Sequence, residues 1–115
     1  MKPVIGITMG DAAGIGPEII VKSLTDKDIY DRCQPVVIGD AKILEKAKPI
    51  VHADVEINVI NSVAEAKNTF GVIDVVDLDL LPVDLPFGQV SGEAGNAAFQ
   101  YVAKAVELAK EKQIN

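Results

Sequence analysis

The sequence has no tryptophan and only one cysteine and one histidine, Cys33 and His52. One cysteine excludes a disulfide within the chain and is typical of a reducing compartment, so we expect a cytoplasmic location. One histidine excludes a three-histidine metal site. No apolar run approaches the roughly 20 residues that cross a bilayer. The strand predicted from Val4 leaves no room for a signal peptide, and we expect no membrane partner.

Basic residues are few. The 11 lysines and arginines stand against 17 aspartates and glutamates, which gives a formal net charge of −6 without any basic cluster. Because nucleic-acid phosphates are bound by concentrated Lys and Arg, we expect no nucleic-acid partner. Apolar residues make up 49% of the 115 residues, which is typical of an α/β protein and not of a disordered chain.

Apolar runs alternate with segments of helical periodicity along the chain. Short β-branched runs predict four strands, over residues 4–9, 35–38, 55–60 and 72–76. The third strand alternates in polarity and is expected near a sheet edge. Helical spacing predicts helices over residues 17–24, 41–48 and about 92–113. This pattern predicts an α/β fold with a mainly parallel sheet and helices on both faces.

Details of the helices give further expectations. Ile19, Ile20 and Leu24 are expected on the buried face of the first helix. A short helix is expected to start at Ser62, where Glu65 completes a capping box. The chain stops where the alternation requires another strand, so the sheet looks unfinished. We therefore expect residues 1–115 to be part of a larger protein, with an open edge that favours self-association.

The segment GDAAGIGPE, Gly10 to Glu18, lies where the first strand turns into the first helix. The spacing of Gly10, Gly14 and Gly16 matches neither the dinucleotide-binding fingerprint nor the phosphate-binding P-loop. Proline within the helix start removes an N–H donor, and the carboxylates of Asp11 and Glu18 repel a phosphate. The loop better suits the hydroxyls of a ribose or polyol, or a planar ring against glycine backbone. A tight turn without a ligand is the alternative.

Other polar residues give competing predictions. His52 has only Asp54 at ligand spacing and is expected to be an exposed loop residue, while Cys33 is expected to fill a packing position. Ser91 is expected to cap the last helix. An acidic run could bind a metal at the end of a strand, but a solvated loop is favoured: Asp74, Asp77, Asp79 and Asp84.

Three segments resemble the 4-hydroxythreonine-4-phosphate dehydrogenase family of vitamin B6 synthesis. They are IGITMGDAAGIGPEIIVKSL at residues 5–24, VVIGD at 36–40 and GQVSGEAGNAAFQYVAKAVELA at 88–109. The family typically has Gly-Asp-Pro-Ala-Gly-Ile-Gly-Pro-Glu in its first loop, so Ala12 stands where proline is usual. The related dehydrogenases of isocitrate and isopropylmalate carry a loop two residues shorter, which favours the first family.

The resemblance implies an isocitrate/isopropylmalate dehydrogenase-like fold, with residues 1–115 as the N-terminal part of a larger two-domain dehydrogenase that acts as a homodimer. The parent enzyme is implied to oxidise and decarboxylate a phosphorylated hydroxy acid with NAD or NADP. The implied substrates are 4-hydroxythreonine 4-phosphate, or threonate or erythronate 4-phosphate. A divalent metal (Zn, Mg or Co) is implied on three histidines, which this chain lacks. The chain alone is therefore expected to hold no catalytic residue and to be inactive.

The resemblance also places the glycine loop beside the active-site cleft. The residues expected to bind cofactor or substrate are Thr8, Gly10, Asp11, Gly14, Gly16 and Glu18. The missing histidines motivate a second hypothesis from another class. In it, the chain is a stand-alone, non-catalytic α/β module that binds a nucleotide or polyol at the same loop.

Overall fold

The computed structural model describes residues 2–82, 84–85, 88 and 92–115. Its strands form one parallel sheet in the order β1-β2-β4-β3. The strands are β1 Val4–Thr8, β2 Gln34–Gly39, β3 Glu56–Ile60 and β4 Val72–Asp77. The helices are α1 Gly16–Ser23, α2 Lys27–Arg32, α3 Ala41–Ala47 and α4 Gly92–Lys110. The predicted α/β fold with a parallel sheet is confirmed.

Helices cover both faces of the sheet, as predicted. Successive strand residues point to opposite faces, yet Val36, Val37 and Ile38 of β2 are all 0% exposed. Helices α1 and α3 pack against each other, and α3 also lies on β3 and β4, whereas α4 lies on β1 and β2. Because the central strands are buried on both sides, they have continuous apolar runs and do not alternate in polarity.

The two edges of this sheet are β3 and β1. β3 lies at an edge as its alternating sequence predicts, with Val59 53% exposed and Ile60 buried. Along the outer side of β1, the backbone N–H of Asn115 donates to the Val4 carbonyl at 2.8 Å. The Val4 N–H in turn donates to the side-chain oxygen of Asn115 at 2.7 Å. Self-association through a sheet edge stays a prediction.

Helix α1 buries a different face from the one predicted. Ile20 and Leu24 are buried as expected, but Ile19 is 52% exposed and Val21 is in the core in its place. The reason is that α1 packs against α3, and the buried positions are residues 17, 20, 21 and 24, which share one face at helical spacing. The prediction for Ile19 is therefore wrong.

Helix α2 has no apolar periodicity and was not predicted. The Asp26 side chain caps it by accepting the Asp28 N–H at 3.0 Å. Exposed ion pairs four residues apart, Lys27 with Asp31 and Arg32 with Asp28, lie along its surface. A side-chain cap and surface ion pairs, and not apolar periodicity, therefore mark this helix in the sequence.

The helix predicted at Ser62 is a single 3₁₀ turn, Val63–Glu65. Ser62 Oγ accepts from the Ala64 N–H at 3.3 Å, and the Glu65 carboxylate accepts from the Asn61 N–H at 3.1 Å. The predicted capping box is thus displaced by one residue. Helix α4 ends at Lys110 and not at 113, and its predicted cap, Ser91, lies outside the described residues. Within the described ranges, no helix combines the length and apolarity needed to cross a membrane.

Candidate functional site

The carboxyl ends of β1, β2 and β4 lie side by side at one edge of the sheet, which we call the site edge. Thr8 pairs with Ile38, and Gly39 pairs with Asp77. Open parallel sheets bind ligands outside the carboxyl ends of their strands. All six predicted site residues lie here, because Thr8 ends β1 and the glycine loop follows directly.

Within the loop, only Gly10 requires the conformational freedom of glycine. Its φ is +71°, and a Cβ there would meet nothing within 4 Å. Asp11 then closes a tight turn, with its carboxylate accepting the Ala13 N–H at 2.9 Å and its carbonyl accepting the Gly14 N–H at 3.0 Å. The Asp11 side chain stays exposed, so a ligand hydroxyl can reach it.

The other two glycines have different roles. A Cβ at Gly16 would lie 2.5 Å from the Met9 carbonyl oxygen, so glycine lets α1 begin directly against the end of β1. A Cβ at Gly14 would lie 3.4 Å from the Asp11 carbonyl, which is a normal contact. The glycine pattern therefore reflects one left-handed turn and one close backbone approach.

The start of α1 does not fit a phosphate. No side chain caps the helix at Ile15, Pro17 lacks an N–H, and Glu18 places a carboxylate in the first turn. The segment from Gly10 to Glu18 contains no lysine or arginine. The pyrophosphate of a dinucleotide therefore does not fit this loop, whereas the hydroxyls of a ribose or sugar acid do, because carboxylates accept their hydrogen bonds.

The acidic run is only in part the solvated loop predicted from sequence. Asp74 lies within β4 and is 2% exposed. It accepts from Asn58 Nδ2 at 2.8 Å and from the Lys67 and Asn68 N–H groups, each at 3.0 Å. Buried carboxylates are tolerated when hydrogen-bond donors surround them. The sequence does not indicate this burial, because the donors come from β3 and from the turn before β4. The solvated description holds for Asp79 and Asp84, which are exposed.

Asp77 ends β4 and faces the start of α3. Its Oδ1 accepts the Ala41 N–H at 3.1 Å and the Asp79 N–H at 3.2 Å. In the described ranges no three His, Cys, Asp or Glu side chains come together as a metal site. The divalent metal implied by the resemblance therefore does not fit these residues.

Asp40, directly after β2, was missed as a functional candidate. It is 0% exposed, and its Oδ1 accepts from the Leu80 N–H at 2.7 Å and the Leu81 N–H at 3.2 Å. Its Oδ2 accepts from the Tyr101 hydroxyl. Burial, this hydrogen bond and the carboxylate charge together raise the pKa of Tyr101. These partners are distant in sequence, so the only local sign of Asp40 is its place at the end of an apolar strand.

The segment after β4 returns to the glycine loop. The Leu78 N–H donates to the Gly39 carbonyl at 2.9 Å, and the Gly88 N–H donates to the Ala13 carbonyl at 2.6 Å. Between them, Lys46 Nζ donates to the Leu85 carbonyl. The described part of this segment, residues 77–82, 84–85 and 88, thus borders the site edge.

His52 lies at the opposite end of the sheet, before β3. It is exposed, as predicted, with φ +55°. It lines an open cavity of about 480 Å³ together with Lys22, Asp54 and Phe70, and none of the predicted site residues lines that cavity. Cys33 is half-buried just after α2, as expected of a packing residue.

A parallel sheet with helices on both faces and a glycine turn at its carboxyl edge places this chain in the class of open α/β proteins, in which that edge is the usual position of a ligand. Residues 31–115 match the family described as pyridoxal phosphate biosynthetic protein PdxA. The chain belongs to this family, which confirms the resemblance seen in the sequence.

Individual relatives match almost the whole chain. D-threonate 4-phosphate dehydrogenase of Cupriavidus necator is 49% identical over 113 residues, which are 98% of this chain and 34% of that protein. A crystal structure of a 4-hydroxythreonine-4-phosphate dehydrogenase from Burkholderia phymatum superposes with a TM-score of 0.98 at 54% identity, covering 100% of this chain and 35% of that one.

A terephthalate 1,2-cis-dihydrodiol dehydrogenase from Burkholderia xenovorans is more distant. Its TM-score is 0.72 at 27% identity, and the match covers 100% of this chain and 32% of that one. The chain thus spans about a third of the length of the relatives that it matches.

Proposed function

We propose that this chain forms the N-terminal part of an NAD(P)-dependent dehydrogenase that oxidises the hydroxyl of a phosphorylated hydroxy acid. The observation that carries the proposal is the match of the whole chain, at 54% identity, to a protein named 4-hydroxythreonine-4-phosphate dehydrogenase. The substrates proposed are 4-hydroxythreonine 4-phosphate and threonate or erythronate 4-phosphate. The proposal includes loss of CO₂ after oxidation and a homodimeric enzyme.

The contribution of this chain is one wall of the active-site cleft, at the site edge. Thr8, Asp11 and Glu18 offer oxygen atoms to the hydroxyl groups of substrate or nicotinamide ribose, and Gly10, Gly14 and Gly16 let the ligand approach the backbone. The phosphate is bound elsewhere, since two carboxylates and no cation line this loop. This assignment agrees with the exposure of Asp11 and the half-buried positions of Thr8 and Glu18.

We infer that the metal ligands and the phosphate-binding cations belong to parts of the enzyme other than this chain, since among the described residues no three His, Cys, Asp or Glu side chains come together. When bound, a divalent metal supplies a Lewis acid that polarises an oxygen of the substrate. The chain alone is therefore expected to show no turnover.

The test is a chimera in which this chain replaces the matching N-terminal third of the Burkholderia phymatum enzyme. We expect NAD(P)H to form with at least one of the three phosphorylated acids, and none with the 115-residue chain alone. A folded, dimeric chimera that reduces neither NAD nor NADP with any of them would contradict the proposal.

The role of the loop is tested by Asp11→Asn in the same chimera. The amide oxygen still accepts the Ala13 N–H, so the turn is kept while the charge is lost. We expect KM for the phosphorylated acid or for the nicotinamide cofactor to rise about tenfold, because one hydrogen bond between a carboxylate and a hydroxyl contributes about that much to binding. Asp31→Asn on α2 is the matched control, since its carboxylate is exposed on a helix away from the site edge, and its KM should equal that of the unmodified chimera.

The second hypothesis is a binding module without chemistry, favoured by the lack of a metal cluster in the described ranges. Calorimetric titration of the chain alone with NAD, AMP and a sugar phosphate separates the two. Saturable binding to the chain, together with an inactive chimera, would support the module. An active chimera and a chain that binds none of the three ligands would exclude it.

A further inference from the structure

Asp40 occupies a helix-capping position without capping the helix. It directly precedes α3 with extended backbone angles, φ −117° and ψ 115°, which are those of a typical N-cap aspartate. Its side chain nevertheless makes no hydrogen bond to α3. Both carboxylate oxygens are engaged elsewhere, by the Leu80 and Leu81 N–H groups and by the Tyr101 hydroxyl.

The missing cap comes from the neighbouring strand. Asp77, at the end of β4, accepts the Ala41 N–H at the start of α3. The two aspartates thus exchange partners: Asp77 caps the helix that follows β2, and Asp40 holds the backbone that follows β4. This exchange reinforces the link between the connections that follow β2 and β4, which the Leu78 N–H also joins by donating to the Gly39 carbonyl. Asp40 is completely buried. Loss of any of its donors would therefore leave a buried carboxylate oxygen without a hydrogen bond, which costs free energy.

A path of contacts between described residues leads from Asp40 toward the glycine loop. Asp40 fixes the backbone of Leu80 and Leu81, and the buried Leu81 and Leu85 side chains anchor the same segment. Its far end donates the Gly88 N–H to the Ala13 carbonyl at 2.6 Å. Ala13 in turn donates its N–H to the carboxylate of Asp11. The path therefore ends at the side chain proposed to meet the ligand.

We propose that Asp40, held by Tyr101 of α4, is a positioning residue. It sets the described part of the segment after β4, residues 77–82, 84–85 and 88, and thereby the glycine loop, in the geometry that binds substrate. The inference rests on the proposed function for its substrate. It assigns to Asp40 an effect on binding without direct contact with the ligand.

The test compares Asp40→Asn and Tyr101→Phe with Asp74→Asn in the chimera. An asparagine at position 40 still accepts the Leu80 and Leu81 N–H groups, so the fold is kept while the anion facing Tyr101 is lost. Tyr101→Phe removes only the hydroxyl, and it carries the test if Asp40→Asn fails to fold. Asp74 is the matched control because it is an equally buried aspartate with three donors, distant from the glycine loop.

We expect Asp40→Asn and Tyr101→Phe to raise KM about tenfold with kcat within about twofold, because the loop contributes equally to ground-state and transition-state binding. The amides of Ala13 and Gly14 should exchange with solvent faster in both variants. Asp74→Asn should leave KM and these two amides unchanged while lowering the melting temperature at least as much.

An equal rise of KM in Asp74→Asn would overturn the inference, since loss of stability alone would then explain the effect. Unchanged KM and unchanged exchange in both site-edge variants would overturn it as well. An inactive unmodified chimera would overturn the proposed function and not this inference. Amide hydrogen exchange at Ala13 and Gly14 then tests the inference without turnover. Faster exchange in the variants would support the positioning role, and unchanged exchange would refute it.

Discussion

Two regions of this molecule use the same chemistry for different ends. At the site edge, Asp40 is buried beside Tyr101. In a second region, Asp74 is buried near Tyr30. We call this second region, residues 67–74 with Tyr30, the far side. Each aspartate accepts three hydrogen bonds. Gly39, the residue before Asp40, pairs with Asp77 of β4. Asp74 lies three residues earlier along the same strand, about 10 Å from Asp77 at a rise of roughly 3.3 Å per residue.

The difference lies in where the donors come from. Asp74 takes two of its three from Lys67 and Asn68, seven and six residues away, so it closes a local turn before β4. Asp40 takes all of its donors from residues 40 to 61 positions away, so it joins three segments of the chain. A buried carboxylate with local partners stabilises a turn, whereas one with remote partners also fixes how segments lie against each other.

The largest expected effect is a loss of stability that both regions share. Asp40→Ala and Asp74→Ala each leave three donors without an acceptor, and we expect each to lower the free energy of unfolding by about 3–5 kcal/mol. Denaturant unfolding of the two variants checks this. A loss below about 1 kcal/mol at either position would break the comparison, because that carboxylate would not be satisfied in the way described.

A second contrast separates the glycines of the two regions. At Gly16 on the site edge, a Cβ would overlap the Met9 carbonyl, so Gly16→Ala should cost about 2–3 kcal/mol through overpacking. At Gly71 on the far side, φ is +93° with open space around the Cβ position, so Gly71→Ala should cost about 1–2 kcal/mol through backbone strain alone. If the same unfolding experiment showed a larger loss of stability for Gly71→Ala than for Gly16→Ala, the close approach at Gly16 would not be the more costly of the two.

The smallest effect concerns the two tyrosines, the only ones in a chain without tryptophan. Burial, with the charges of Asp74 and Cys33, raises the pKa of Tyr30 from 10 to about 12. Since a raised pKa means that the folded state holds the proton more tightly, this stability is fully present below pH 10 and is lost as the pH rises through about 12. Titration of tyrosinate absorbance measures it.

The same titration also separates the two buried aspartates. Asp40→Asn should lower the pKa of Tyr101 and leave that of Tyr30 unchanged, because only Tyr101 has Asp40 as its partner. Asp74→Asn should do the converse. If both variants shifted the same tyrosine, the two regions would be coupled in a way that the hydrogen bonds do not show.

Local patterns in the sequence were sufficient for much of the fold. The four strands, their parallel pairing and helices α1, α3 and α4 follow from short-range periodicity. Helix α2 does not, because its apolar contacts are few and a side-chain cap with surface ion pairs defines it. The position of Ile19 was mistaken because the buried face of α1 depends on where α3 lies.

In the candidate site, too, features that depend on neighbouring residues could be predicted, and features that depend on distant ones could not. The glycine loop is contiguous in sequence, so a tight turn between β1 and α1 could be predicted, but not that Gly10 is its residue with positive φ. The role of its residues in binding stays a prediction. Asp40 could not, because its burial arises only when Leu80, Leu81 and Tyr101 fold onto it. The burial of Asp74 could not be predicted either, because two of its donors belong to a turn that no apolar pattern indicates and the third is Asn58 of β3.

The most direct test of the account is amide hydrogen exchange of the chimera with and without substrate, in the absence of nicotinamide. We predict that threonate 4-phosphate or 4-hydroxythreonine 4-phosphate slows exchange between Gly10 and Glu18 and leaves Lys67 and Asn68 unchanged. Protection confined to the far side, or turnover by the chimera without any protection of the glycine loop, would contradict the assignment of the site edge.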